Sequence, residues 1–241
     1  MPEINLLDRY PRTRRPIVAR GKMKLARGGR LASGHAASRT TEDLLIEHTL
    51  LQTARRFGRE YFDGDRLYGY GGYYYNPKYW TPTAQRLHEH YQLQPGASIL
   101  DVGCAKGFLL HDMKRLYPDL KVTGLDISPY AVEHATPEIK PFLQVGTAIR
   151  LPFPDKSFDL VVSINTVSNP ALAQCKQAII EVMRVSRDRS FITVHAWRTE
   201  EQRVKLQKWN LTAQTCMHVS DWEKIFAEIN YTGDYYYWFA E

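Results

Sequence analysis

Residues 98–108 read Ser98-Ile99-Leu100-Asp101-Val102-Gly103-Cys104-Ala105-Lys106-Gly107-Phe108. An apolar run ends in an acid. A glycine-bearing turn follows, and then an apolar-periodic segment through Leu109, Leu110, Met113 and Leu116. That order is strand, tight turn, helix. Glycines let the backbone pass close beneath a ligand where a Cβ would obstruct it. In open parallel sheets, ligands bind at the carboxyl ends of the strands, where such helices begin. A dinucleotide fingerprint would need glycine at 105 and 108, where the chain has Ala105 and Phe108. A phosphate-binding loop would need Gly-Lys-Ser/Thr, whereas here Lys106 precedes Gly107. Neither phosphate motif fits.

Three further stretches stand in order behind the turn. Lys121–Asp126 reads as a second strand ending in an acid. That acid lies about twenty residues past the turn, the offset at which a carboxylate reaches ribose hydroxyls. Ile127 follows it, and Ser128-Pro129 is a helix start. Val145-Gly146-Thr147-Ala148-Ile149-Arg150-Leu151-Pro152-Phe153 comes next, and then Asp155-Lys156-Ser157-Phe158-Asp159-Leu160-Val161-Val162-Ser163 enters a fourth strand. Together with Asp101-x-Gly103-x-Ala105-x-Gly107, this series resembles the class I S-adenosylmethionine (SAM) methyltransferases across Ser98 to Asn169.

The resemblance implies a doubly wound, mostly parallel α/β sheet of Rossmann-like type, with SAM as cofactor and S-adenosylhomocysteine as product. It implies that Asp101, Gly103, Cys104, Ala105 and Gly107 form the turn behind the amino-acid and ribose parts of SAM. Asp126 and Ile127 would meet the ribose, and Thr147 and Ala148 the adenine. Thr147 stands where the family carries an acid. Ala105 stands at the middle glycine, which is accommodated if its φ stays negative. The family's sheet has seven strands with the last antiparallel. Only Asp234–Ala240 reads as a strand after the helix at Ser220, so the edge is expected to be shortened, or Val204–His218 to supply an irregular strand.

The chain has 241 residues, 44% hydrophobic and 24% charged, an ordinary globular composition. No apolar run is long enough for a membrane span, and no apolar signal region opens the sequence. Cys104, Cys175 and Cys216 are far apart, so they read as reduced thiols of a cytoplasmic protein, with no metal site. Residues 1–60 carry 13 Lys and Arg against 6 Asp and Glu, and the remainder 19 against 20. Residues 1–40 are therefore read as a basic, loosely ordered arm, residues 41–96 as a helical cap with a Tyr/Gly-rich lid, and residues 97–241 as the SAM-binding domain. One helix is expected from Thr41 to Tyr61, with Ile46, Leu50, Ala54, Phe57 and Tyr61 on one face, and others over Thr81–Leu93 and Asn169–Val185.

Methyl transfer needs an acceptor aligned behind the methyl group and water excluded. It needs a base only where the acceptor must lose a proton. His195, at the mouth of the fifth strand, is the first base candidate, because imidazole titrates near neutrality. His218 is the second. Asn165, at the end of the fourth strand, is a candidate for orienting acceptor or SAM. The segment Tyr68–Trp80 is the expected lid, with Tyr70 toward the cofactor and Tyr68 and Tyr74 toward the acceptor. Asn169, Trp197 and Trp209 complete the expected acceptor wall. The absence of an Asn/Asp-Pro-Pro-Tyr signature argues against methylation of nucleobase amines. The expected activity is methyl transfer to O or N of a small molecule, by a monomer or homodimer without membrane association. Two alternatives remain at this point: an RNA or protein methyltransferase docking through the basic arm, and a non-catalytic SAM-binding partner or sensor subunit.

Overall fold

The computed structural model of the chain describes residues 3–7 and 41–240. Apart from 3–7, the expected arm lies outside the described residues. Seven strands form the sheet: β1 (Ser98–Val102), β2 (Lys121–Asp126), β3 (Leu143–Val145), β4 (Leu160–Ser163), β5 (Ser190–Trp197), β6 (Met217–His218) and β7 (Asp234–Trp238). Their order is β3-β2-β1-β4-β5, with β6 and β7 both on β5. Every registered pair is parallel.

Parallel sheets are covered on both faces, and successive side chains of a strand point to opposite faces. Ile99, Leu160, Val162, Phe191 and Tyr236 accordingly enter one core. Leu100, Val102, Val161, Ile192, Val194, Tyr235 and Tyr237 enter the other. The first core is closed by α3 (Pro77–Tyr91) and α4 (Phe108–Leu116), the second by α6 (Leu172–Val185) and α8 (Val219–Glu228). The doubly wound expectation holds. No helix among the described residues is long and apolar enough to cross a membrane.

The far edge differs from expectation in one respect. Met217–His218 does supply a short strand, but β7 runs parallel to β5, from Phe191 opposite Asp234 to His195 opposite Trp238. A helix, α8, separates β6 from β7 and returns the chain to its starting end. An antiparallel strand would need a hairpin there instead.

Local signals shift three helix starts. Asn76 caps α3, its side chain accepting from the Lys78 N–H, with Pro77 in the first turn. The helix therefore begins four residues before Thr81. The sixth helix begins at Leu172 rather than Asn169. His218, rather than Ser220, caps α8. The expected helix from Thr41 to Tyr61 breaks into α1 (Thr41–Arg55) and α2 (Arg59–Phe62). Phe57 sits at φ +50°, and its carbonyl accepts from the Ser128 hydroxyl instead of continuing the helix.

Residues 3–7 belong to the fold. The Ile4 N–H donates to the Tyr235 carbonyl at 2.9 Å, Glu3 bridges Tyr235 in parallel, and Glu3 pairs with Arg198. Leu6 and Leu7 are buried in the core beneath α3 and α4, Leu7 with 2% of its surface exposed. Leu7→Ala should cost about 2–5 kcal/mol of stability in urea unfolding. A change within about 0.5 kcal/mol, the usual effect of a surface substitution, would place the segment outside the core.

Candidate active site

The carboxyl ends of β1, β2 and β4 open into a cavity of about 360 Å³. Its floor is the turn after β1, with Asp101, Gly103, Cys104 and Ala105. One flank comes from β2 and the loop after β3: Asp126, Ile127, Gly146, Thr147, Ala148 and Ile149. The other comes from the segment after β4, with Asn165, Thr166, Asn169, Pro170 and Gln174, joined by Thr212 and Gln214. Phe57, Tyr61, Phe62, Tyr70, Tyr73 and Trp80 roof it, with Arg55 at their edge.

The turn is held from both sides. Gly103 has φ +84°, and a Cβ on it would lie 2.0 Å from the Thr166 hydroxyl oxygen. The Gly103 and Cys104 N–H groups donate to the Leu125 carbonyl at 2.7 and 3.2 Å. Ala105 does not keep a negative φ: it lies at +50°, where its N–H donates to Asp126 Oδ2 at 2.7 Å. Asp126 Oδ1 accepts from the Ser128 N–H at 2.8 Å. A carboxylate has about four acceptor positions, so Asp126 keeps capacity for a ligand in the cavity. Burial pushes its acidity weaker, while these two N–H groups favour its charged form. Asp101, by contrast, has no hydrogen-bond partner among the described residues, and its carboxyl faces the cavity. Burial, and then the neighbouring Asp126 charge, push it up to about 8.

The roof is tied down by two acids, the half-buried Asp63 and the buried Asp112. Lys106, 6% exposed as a residue, donates through Nζ to Asp63 Oδ1 and Oδ2 at 2.9 and 2.7 Å and to the Tyr73 carbonyl at 3.1 Å. Asp63 also accepts from the Tyr73 N–H at 3.0 Å and the Tyr130 hydroxyl at 2.8 Å. Burial alone would raise the Asp63 pKa, but these donors and the Lys106 charge hold it below the ordinary value. Asp112, fully buried on α4, accepts from Thr81 Oγ1 at 2.6 Å, Arg115 Nε at 3.1 Å and the Tyr75 hydroxyl. Between these anchors the rings pack edge to face, Tyr61 and Tyr70 at 5.2 Å, and Tyr73 stacks on Phe108 at 4.9 Å.

Most expected cofactor residues line the cavity: Asp101, Gly103, Cys104, Ala105, Asp126, Ile127, Thr147, Ala148, Asn165 and Tyr70. Asn169 does too. Gly107 does not; at φ +74° it caps the start of α4. Neither histidine candidate reaches the cavity. His195 is 3% exposed, bonded through Nδ1 to the Ser168 hydroxyl at 2.7 Å and packed against Trp209 and Trp238. Trp238 stands opposite it on β7 and α7 (Glu200–Trp209) covers it. His218 is committed to the α8 cap. Trp209 joins Trp238 in that same cluster, with Trp197 against it. Tyr74 is 76% exposed and points to solvent, and Tyr68 is not part of the lining. Tyr70, Tyr73 and Trp80 of the expected Tyr68–Trp80 lid line the cavity, whereas the sequence reading missed the roof residues Phe57, Tyr61 and Phe62. It also missed the pairing of Lys106 with Asp63; its signal was a lysine inside a glycine turn otherwise free of charge.

A family model described as a methyltransferase domain matches residues 93–241. The 2-methyl-6-phytyl-1,4-hydroquinone methyltransferase of Synechocystis is 34% identical over 122 residues, 48% of this chain and 37% of that protein. Ajmaline N-methyltransferase of Rauvolfia serpentina is 32% identical over 138 residues, 52% of this chain and 46% of that protein. The chain thus matches less than half the length of these curated relatives. The crystal structure of the [4+2]-cyclase SpnF is similar at a TM-score of 0.50 and 20% identity, over 62% of this chain and 57% of that one, a likeness of fold alone.

Two outcomes test the floor of the cavity. Ala105→Gly should stabilise the protein by about 0.5–1 kcal/mol, the left-handed strain relieved less the extra chain entropy of glycine. A loss of stability would contradict the left-handed placement. Asp101 holds its proton up to about 8 when folded, well above its unfolded value. The ligand-free protein should therefore lose stability as pH rises from 5 through 8. Thermal unfolding of Asp101→Asn should lack that dependence.

Proposed function

Since the chain belongs to the methyltransferase-domain family whose model matches residues 93–241, we propose that it transfers the methyl group of SAM to an uncharged, largely apolar small molecule. The observation that carries this reading is one cavity in which two acids, Asp101 and Asp126, face an aromatic roof across a glycine turn. The residues fit SAM. A buried carboxyl without a partner, Asp101, suits a ligand that brings positive charge, and an acid with spare acceptor capacity, Asp126, suits vicinal hydroxyls. Thr147 and Ala148 would meet the adenine, with Ile127 as an exposed apolar surface beside them. When bound, SAM supplies a methyl group on a sulfonium that an acceptor nucleophile displaces in line.

The chain's own part is positioning and exclusion of water. The roof, pinned through Asp63 and Asp112, shields the reacting centre, and its aromatic faces suit an apolar acceptor body. No histidine lines the cavity among the described residues, so the geometry favours acceptors that need no imidazole base. The named relatives act on a hydroquinone and an alkaloid, which agrees with a small-molecule acceptor.

Calorimetric titration with SAM and S-adenosylhomocysteine tests the reading. Wild type should bind both, and Asp126→Ala should bind about 10–100-fold more weakly, the loss of charge-assisted hydrogen bonds to hydroxyls. Absence of binding by folded wild type would overturn it.

A further inference from the structure

The cavity is not equally open along its length. Arg55, Ile127, Gln174 and Gln214 are exposed and mark where it meets solvent. Trp80, Leu109 and Ile164 are buried and close it elsewhere. Tyr73 belongs to the closed part. Its ring stacks on Phe108 at 4.9 Å, and Trp80 meets that same Phe108 ring edge-on at 6.5 Å. Asp101 is buried as well, whereas Asp126 is followed directly by the exposed Ile127. A ligand held by both acids therefore has one part toward solvent and one part enclosed.

One ion pair grips Tyr73 from both sides of its backbone. The Tyr73 N–H donates to Asp63 Oδ1 at 3.0 Å. The Tyr73 carbonyl accepts from Lys106 Nζ at 3.1 Å, while Nζ also reaches both Asp63 oxygens. Local stiffness does not place the residue, because Gly71 and Gly72 directly before it stand at φ +70° and +107°, a backbone that only glycine adopts freely. The pair does. Lys106 arrives from the opposite side of the cavity, out of the turn after β1. Its neighbour Ala105 is bonded to Asp126, so the stem of the lysine starts from a fixed point. The three bonds of Nζ all leave the turn, which means that the turn itself does not need this lysine in order to fold.

We infer that Lys106 is a positioning residue for the cofactor: through Asp63 and the two backbone groups of Tyr73, it sets the Tyr73 ring against the amino-acid end of SAM in the closed part of the cavity. The nucleoside end then lies toward Ile127 and solvent. Lys106 touches no part of the cofactor itself and acts only by where it holds the ring. A ring held in place from the start costs no ordering when the ligand arrives. The inference rests on the methyltransferase reading of the same cavity.

The probes are S-adenosylhomocysteine and 5′-methylthioadenosine, which share the nucleoside and its thioether and differ in the amino-acid end, titrated calorimetrically into the full chain. Wild type should prefer S-adenosylhomocysteine. Lys106→Met should bind it at least about tenfold more weakly while its affinity for 5′-methylthioadenosine stays within about threefold of wild type. A general loss of structure would weaken both. The double variant Lys106→Met/Asp63→Asn removes both charges, strands neither, and should show the same selective loss; it decides the matter if the single variant does not fold. Tyr73→Ala should lose the same preference, and adding Lys106→Met to it should cost less than about threefold more, since two residues acting as one unit are not additive. Equal weakening of both probes, no weakening of S-adenosylhomocysteine, full additivity with Tyr73→Ala, or a wild type without preference between the probes overturns the inference. Failure of wild type to bind either probe would instead overturn the methyltransferase reading beneath it.

Discussion

The ion pair between Lys106 and Asp63 joins the two halves from which the cavity is built. Lys106 belongs to the turn after β1, and Asp63 follows the short helix α2 in the N-terminal extension. An ammonium has three donors, and all three are used, on both Asp63 oxygens and the Tyr73 carbonyl. Removing one member of such a pair strands a buried charge, at about 3–5 kcal/mol. The same Asp63 also receives the Tyr73 N–H and the Tyr130 hydroxyl. One carboxylate thereby sets the height of the aromatic roof over the glycine turn and ties it to the helix that follows β2.

Beneath the roof, the electrostatics follow from a parallel sheet. Adjacent parallel strands end at the same edge, so the acids that close β1 and β2 converge on one cavity. Two like charges side by side cannot both be accommodated cheaply in a buried place. The structure resolves this asymmetrically. Asp126 receives two backbone N–H groups, which favour its charged form, while Asp101 receives none and is driven up to about 8. A positive charge placed beside the two carboxyls would offset the repulsion between them. The left-handed Ala105 belongs to the same arrangement, since its N–H is one of the two donors on Asp126.

Aromatic residues occur in two places with different tasks. In the extension Tyr61, Phe62 and Trp80 are buried and Phe57, Tyr70 and Tyr73 half-buried, and all six line the cavity. At the far end of β5 and β7 the buried Trp238 and the half-buried Trp209 pack against His195, 4.3 Å apart between ring centres. A histidine at a strand mouth there became a packed structural group bonded to Ser168, because a parallel β7 and the helix α7 cover it.

The sequence by itself determined the sheet from β1 to β5, the turn after β1, the acids at 101 and 126 and the cavity-lining loop at 147–148. These are local patterns: an apolar run, an acid, glycines and a capping Ser-Pro, each acting within a few residues of itself. It also carried Asn165 and Asn169 to the cavity, since a strand end in a parallel sheet has only one place to go. Only the tertiary structure decided the rest. It broke the first helix at Phe57 through a hydrogen bond from Ser128, seventy-one residues away. It aimed Tyr70 and Tyr73 inward and Tyr74 outward, though all three stand in one Tyr-rich run. It set β7 parallel, buried His195 and gave Lys106 its partner. Each of these depends on which distant side chain arrives to satisfy a donor or cover a ring, and spacing along the chain does not contain that information.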